Sequence, residues 1–380
     1  MATRVKLGTT VFDAALDRLL TLYQDGHRLV VSFSGGKDST VCLNLCRLAA
    51  RMAGAGPVDV VMRDEEIMFP GTYEYIERVA QEGDVNLTWL VAHQPIINAY
   101  NRHEPFWWVF DPLLDARRFV RPLPPQAVRI KELNIEYMTT AERYPAPVGK
   151  DTYAVIGLRV SESRGRMYGL FSSGGYVTKR NHVGVKSARP IYDWSDADVW
   201  RAISENRWDY NHAYDTMRRM GVPYRRLRIA PPTMSAAGSD VLKVAMQAWP
   251  QWFEKVAARC PGVRAGAMFG KRSVLPVRRP GESWQTTFQR ECLEDAPAWI
   301  SRRAKKYSEL IVSGHQHHST APLPEVDSCY HCESQSGSWK SLTLQLYGGD
   351  PFSQKCHSLA QVEPDEFRPG WGKWEGKAAW

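Results

Sequence analysis

Six residues, Ser34-Gly35-Gly36-Lys37-Asp38-Ser39, stand between an apolar run of strand character, Arg28 to Phe33, and a helical pattern running from Thr40 to about Arg51. Gly35 and Gly36 let the backbone turn tightly and approach a ligand without Cβ interference. Amides in such a turn, at a helix N-terminus, form an anion site. The candidate cradle is the amides of Ser34 to Ser39, with Thr40 at its helical end. Lys37 adds a mobile cation suited to phosphate. Asp38 supplies the oxygen ligand that a magnesium ion prefers. A bare Ser-Gly-Gly occurs in ordinary turns, but the whole string between a strand and a helix is far more restrictive.

Two further strings follow apolar strands. Asp64-Glu65-Glu66-Ile67-Met68-Phe69-Pro70-Gly71-Thr72 comes directly after Val58–Met62. In a doubly wound sheet that is the carboxyl end of a strand, where ligands bind, so Asp64 is a candidate to orient a nucleotide or metal. The alternative is a capped turn with Pro70 at a helix start. The stretch Gly157-Leu158-Arg159-Val160-Ser161-Glu162-Ser163-Arg164-Gly165-Arg166 presents Arg159, Arg164 and Arg166, whose planar forks match phosphate or sulfate oxygens. Glu162 can orient one of them. Arg159 and Arg166 are candidates to bind such an anion and stabilise its charge. In a fourth string, Arg189 to Trp200, Ser195 and Asp198 have capping-box spacing. That string reads as mainly structural, with Trp194 and Trp200 packing a helix on the sheet.

The elements that must position these groups alternate. Val11–Gln24 is an amphipathic helix, capped by Thr10, with Phe12, Ala15, Leu16, Leu19, Leu20 and Tyr23 on one face. Strands are expected at 28–33, 58–62, 86–91 and 152–158, with helices at 40–52 and 72–82. Strands alternating with helices predict an α/β fold, a doubly wound and mostly parallel sheet flanked by helices. Residues 94–150, rich in Trp, Pro and Arg, read as an insertion near the ligand mouth. The expected division is a nucleotide-binding domain over 1–215, a basic helical region over 216–311 and a Cys- and His-containing region over 312–380.

The chain of 380 residues carries a formal net charge of +8, placed unevenly. Residues 216–308 hold 18 basic and 6 acidic residues, a balance of +12, whereas 309–380 hold 5 and 9, a balance of −4. So basic a segment points to a polyanion, nucleic acid among the candidates. A solvated helical surface with some nucleotide-binding arginines is the plainer reading. The sequence contains no apolar run long enough to span a membrane, and its start lacks a signal-peptide h-region, so a cytoplasmic location is expected. Seven cysteines in such a chain suggest metal, cluster or redox roles rather than a disulfide framework.

In order and spacing, the four strings resemble the phosphoadenosine phosphosulfate reductase superfamily. Its pyrophosphate-loop enzymes cleave ATP between the α and β phosphates. The resemblance implies an adenine nucleotide alpha hydrolase-like fold, ATP or phosphoadenosine phosphosulfate as the nucleotide, and magnesium with it. Trp208 to Met217, the Gly221-Val222-Pro223 stretch and Phe269-Gly270-Lys271-Arg272 look like the immunoglobulin-binding regulator A branch. That branch implies ParB-like partner proteins, an origin in phages and mobile elements, and a homodimer as a family-level expectation.

The chain departs from the reductases in lacking their Glu-Cys-Gly motif; Glu291-Cys292 is followed by Leu293 inside a helical pattern. Cys42 and Cys46, at i and i+4, read as core. Cys329 and Cys332 form a CxxC, and Cys356-His357 follows. These four are candidate ligands for zinc or, with another thiolate, an iron–sulfur cluster; a redox dithiol is the other reading. Three functions stay open: an adenylating enzyme in a nucleic-acid-linked system, a sulfonucleotide reductase or sulfurtransferase using the late cysteines, and a nucleotide-binding regulator with little turnover.

Overall fold

A computed structural model describes residues 8–130, 143–178, 186–233, 238–327, 329 and 337–369. Its contacts divide the chain into two compact units. One comprises the residues up to Gln94 together with Val109–Pro231; the other comprises Pro95–Trp108 together with the residues from Pro232 onward.

The first unit is built on a six-stranded sheet. Its strands are β1 (Arg28–Ser32), β2 (Val58–Asp64), β3 (Val85–Ala92), β6 (Val128–Ile130), β7 (Thr152–Val155) and β8 (Lys186–Ala188). Their spatial order is β6-β3-β2-β1-β7-β8, and every pairing is parallel. The central strands are near-continuous apolar runs because a parallel sheet is covered on both faces. Around it lie α1 (Val11–Gln24), α2 (Lys37–Met52), α3 (Thr72–Ala80), α4 (Arg164–Ser172), α5 (Asp196–Glu205) and α6 (Ala213–Arg219). The doubly wound, mostly parallel sheet expected from the alternation is therefore the architecture found.

One face of the sheet packs on α1, α2 and α5 through Leu19, Leu22, Val31, Cys42, Cys46, Val155, Trp194, Val199 and Ile203. Cys42 and Cys46 are fully buried there. Val30, Val61, Leu90, Ile130 and Tyr144 form the core on the other face. Thr10 caps α1, its hydroxyl accepting from the Asp13 amide at 3.1 Å. Ser195 and Asp198 close the expected capping box on α5.

The strand order reverses between β1 and β7: the chain builds outward from β1 through β2, β3 and β6, then returns to add β7 and β8 on the other side. In open α/β sheets ligands bind outside the carboxyl ends of the strands at such a switch point. The loops after β1 and β7 meet there. Strand β7 ends at Val155 rather than Leu158; the Ile156 amide still donates to Ala188 O at 2.9 Å, and the chain then turns at Gly157. A Cβ on Gly157 would lie 2.8 Å from the Asp38 carbonyl carbon.

The second unit contains the antiparallel pair β4 (Pro95–Ile97) and β5 (Phe106–Trp108), so the stretch read as one insertion is divided between units. Its remaining elements are mainly helical, the longest being Ala298–Gln316. One of its cores gathers Phe288, Cys292, Tyr307, Ile311, Leu342, Leu346 and Cys356.

Gly157→Ala is expected to lower the unfolding free energy by about 1–3 kcal/mol, the usual cost of overpacking. Gly56→Ala, with nothing within 4 Å of the added Cβ, should stay within about 0.5 kcal/mol of wild type. Urea denaturation of both variants makes the comparison, and equal midpoints would contradict the tight approach.

Candidate functional site

Gly35 sits at φ +69°, and a Cβ there would come 3.1 Å from Thr72 Cγ2. The position therefore needs glycine on both conformational and steric grounds. Gly36 is extended, at φ −83° and ψ 157°, and caps α2. The helix thus begins at Lys37 rather than at Thr40, which places Lys37 and Asp38 in its first turn. The loop amides donate to side-chain hydroxyls. Ser34 N donates to Ser39 Oγ at 3.3 Å, Gly36 N to Ser34 Oγ at 3.4 Å and Lys37 N to Tyr214 Oη at 3.0 Å. Hydroxyl oxygens thus occupy positions that an anion's oxygens can take over. Thr40 is buried, its hydroxyl 3.0 Å from Tyr75 Oη.

The charged residues form one network. Asp38 Oδ2 is 2.9 Å from Lys37 Nζ, and Asp38 Oδ1 is 2.6 Å from Arg159 Nε. Arg159, only 1% exposed, also reaches Asp196 Oδ1 at 2.9 Å and Glu162 Oε1 at 3.4 Å. Asp196 lies 3.6 Å from Lys37 Nζ, and Arg166 pairs with Glu162. Even so, Arg166 is held below the ordinary arginine pKa, by burial first and then by the positive charges of Arg228 and Arg159, which outweigh nearby Asp38.

Lys37, Asp38, Arg159, Glu162 and Arg166 are thus brought together. Arg164 is exposed at the start of α4. Asp64, the last residue of β2, is fully buried and committed elsewhere. It pairs with Arg121 and accepts from Trp89 Nε1 at 2.9 Å and the Glu66 amide at 2.8 Å. Three contributors escaped the sequence reading. Asp196 stands beside a capping box that drew attention to its neighbours. Tyr214 and buried Asn211 lie in the Trp208–Met217 string, where nothing in their spacing announced a role. Asn211 Nδ2 donates to Gly35 O at 3.1 Å and Thr72 Oγ1 at 2.8 Å, and Asn211 Oδ1 accepts from the Ala213 amide at 2.9 Å.

The donor set at Asp38 does not fit a magnesium ion held by the protein, because both carboxylate oxygens face cations. Among the described residues no three or more His, Cys, Asp or Glu side chains are placed to hold a metal ion. Of the late candidates, Cys332 lies outside the described residues, Cys329 is partly exposed, His357 is exposed and Cys356 is buried. Burial pushes the Cys292 and Cys356 thiols up to about 12, which keeps them protonated near neutrality.

The family model for the phosphoadenosine phosphosulfate reductase domain matches residues 28–227. The chain belongs to that family. It is 25% identical over 289 residues to the uncharacterized protein YbdN of Escherichia coli (strain K12), covering 70% of this chain and 69% of YbdN. Among solved structures it is similar to the FMN adenylyltransferase of Candida glabrata, at 14% identity and a TM-score of 0.36. That likeness covers 54% of this chain but only 57% of the other, less than two thirds of its length. It is also similar to the phosphoadenylyl-sulfate reductase of Candida auris in its phosphate complex. There the identity is 15% and the TM-score 0.33, over 56% of this chain and 94% of the other.

Asn211→Ala leaves the Gly35 carbonyl and the Ala213 amide unpaired and should cost about 1–3 kcal/mol of stability, measured by chemical denaturation; a neutral result would remove Asn211 as the loop's anchor. The thiols give a second expectation. At about pH 8, iodoacetamide should modify Cys329, which is partly exposed, well before Cys292 or Cys356, which are buried. Rapid labelling of Cys292, mapped by mass spectrometry, would contradict its burial. The unfolded chain ionises thiols near pH 8.5, so stability held below that pH should decline as pH rises toward 12.

Proposed function

We propose that this chain is an adenine-nucleotide-dependent enzyme that binds ATP, or a sulfonucleotide, at the loop from Ser34 to Ser39 and acts at the α-phosphate. On this reading it transfers adenylate to an acceptor and releases pyrophosphate. The observation that carries the proposal is the convergence of Lys37, Arg159 and Arg166 beside a two-glycine loop at the switch point of the sheet. Three cations and a row of amides suit a triphosphate better than a neutral ligand.

In the proposed step an acceptor oxygen bonds to the α-phosphorus while the bond from that phosphorus to the bridging oxygen breaks. The electron pair leaves with pyrophosphate, and the acceptor's proton passes to water. Lys37 and the loop amides hold the departing pyrophosphate, the amides exchanging hydroxyl partners for phosphate oxygens. Arg159 and Arg166 face the charge that grows on the α-phosphoryl oxygens, in the manner of preorganised electrostatic stabilisation. Asp38, Glu162 and Asp196 keep these cations in place before nucleotide arrives. No step relies on a metal.

The alternative is reduction of a sulfonucleotide by a cysteine thiolate. Burial of Cys42, Cys46, Cys260, Cys292 and Cys356 counts against those five as the nucleophile and leaves Cys329, which is partly exposed, as the thiol this alternative would use. Nucleic acid is the proposed acceptor, in keeping with the basic surplus between 216 and 308.

The test is pyrophosphate release from ATP with and without single-stranded DNA or RNA. Lys37→Ala should reduce release by roughly 100- to 1,000-fold, the scale for losing one charge-stabilising donor. Nucleotide binding without release would overturn the proposal in favour of a regulator, and thiol-dependent sulfite release would overturn it in favour of a reductase.

A further inference from the structure

We infer that the first unit carries a second ligand site, a cavity that takes a nucleobase and the flanking phosphates of a single-stranded nucleic acid. The cavity, of about 520 Å³, falls within the size range of small-ligand pockets. Its frame is aromatic. The Trp200 indole meets Tyr210 at 5.8 Å and 86°, Tyr214 at 5.3 Å and 89°, and Tyr224 at 6.3 Å and 64° between ring planes. No ring of this set lies flat on Trp200.

An aromatic box alone would also suit a quaternary ammonium ligand. The charges decide otherwise. Arg207, Arg218 and Arg219 line the same cavity, and all three are exposed. The Arg218 guanidinium lies 3.5 Å from the Tyr224 ring centroid, so a further cation would meet its positive charge. The one carboxylate in the lining, Asp215, accepts from Tyr210 Oη at 2.8 Å and stands 2.8 Å from His212 Nδ1. Three cations around aromatic rings, with a carboxylate already engaged, select a planar ligand joined to anions. A base stacking on tyrosine or tryptophan, its phosphates held by arginine, has that chemistry.

The cavity adjoins the loop. Tyr214 forms part of its lining, and the Tyr214 hydroxyl accepts from the Lys37 amide at 3.0 Å. Leu227 also lines it, and the next residue, Arg228, acts electrostatically on Arg166. A strand seated in the cavity would therefore have its neighbouring nucleotides near the α-phosphate position. The binding of that strand stands independently; its role as acceptor rests on the adenylating function proposed above.

Fluorescence anisotropy with short labelled oligothymidylate and oligouridylate, on the full chain at low and raised salt, tests the site. Tyr224→Ala, and Arg218→Ala combined with Arg219→Ala, alter exposed residues. Each should weaken binding by about tenfold, the scale for one stacked base. The arginine variant should also flatten the salt dependence. Unchanged affinity in both variants, no binding by wild type, or equal binding of a blunt duplex or of polyglutamate would overturn the site. A wild type that binds them but releases no pyrophosphate would end the adenylating proposal and leave this one standing.

Discussion

A guanidinium keeps its charge throughout the physiological range, so burying one obliges the fold to surround it with carboxylates. Arg159 imposes that constraint on the first unit. Asp38 comes from the first turn of α2, Glu162 from the loop after β7 and Asp196 from the start of α5, and all three converge on one side chain. Removing one partner of a buried pair typically costs about 3–5 kcal/mol. The loops after β1 and β7 are therefore tied together by charge as well as by the close approach of Gly157 to Asp38. What the network stabilises is a compact set of cations whose counter-ions are side chains. Under the proposed function, phosphate oxygens would compete with these carboxylates for the same cations.

The same logic holds for the loop's neutral groups. Buried amides demand acceptors, and here hydroxyls of Ser34, Ser39 and Tyr214 serve. A neutral hydroxyl is a weaker partner than an anionic oxygen, since charge-assisted hydrogen bonds are about twice as strong. On the proposed function, exchange toward a phosphate would be favoured, while hydroxyls satisfy the loop amides otherwise. Asn211 fixes the geometry from behind by holding the Gly35 carbonyl, which leaves the amide side of the turn for ligand exchange.

The parts of this fold legible in the sequence are those set by local rules. The apolar runs of β1, β2, β3 and β7, the Thr10 and Ser195 caps and the Gly35 turn each follow from a few adjacent residues. Strands β6 and β8 were not legible, because three residues such as Val128-Arg129-Ile130 or Lys186-Ser187-Ala188 carry no periodicity; the neighbouring strand edge recruits them. The charged motif residues were visible by type, yet their pairing was not. Asp64 looked equivalent to Asp38, both being acids after strands. Only the fold sends one to Arg121 and the other to Arg159.

Tyr214 shows why such sites resist sequence reading. It lies 177 positions from Lys37, on a helix, α6, of seven residues, and a tyrosine at that place reads as ordinary core. Burial pushes its phenol above the usual value, so the group stays protonated and can both accept from the loop amide and donate to an incoming oxygen. That single side chain also forms part of the Trp200 cavity. A ligand that shifts the ring alters the acceptor of the Lys37 amide, and a phosphate that takes the amide releases the hydroxyl. Because coupling free energies are reciprocal, any influence of the cavity on nucleotide affinity must be matched by an equal influence of nucleotide on the cavity. If both proposed ligands bind, the shared Tyr214 is the contact through which they would couple.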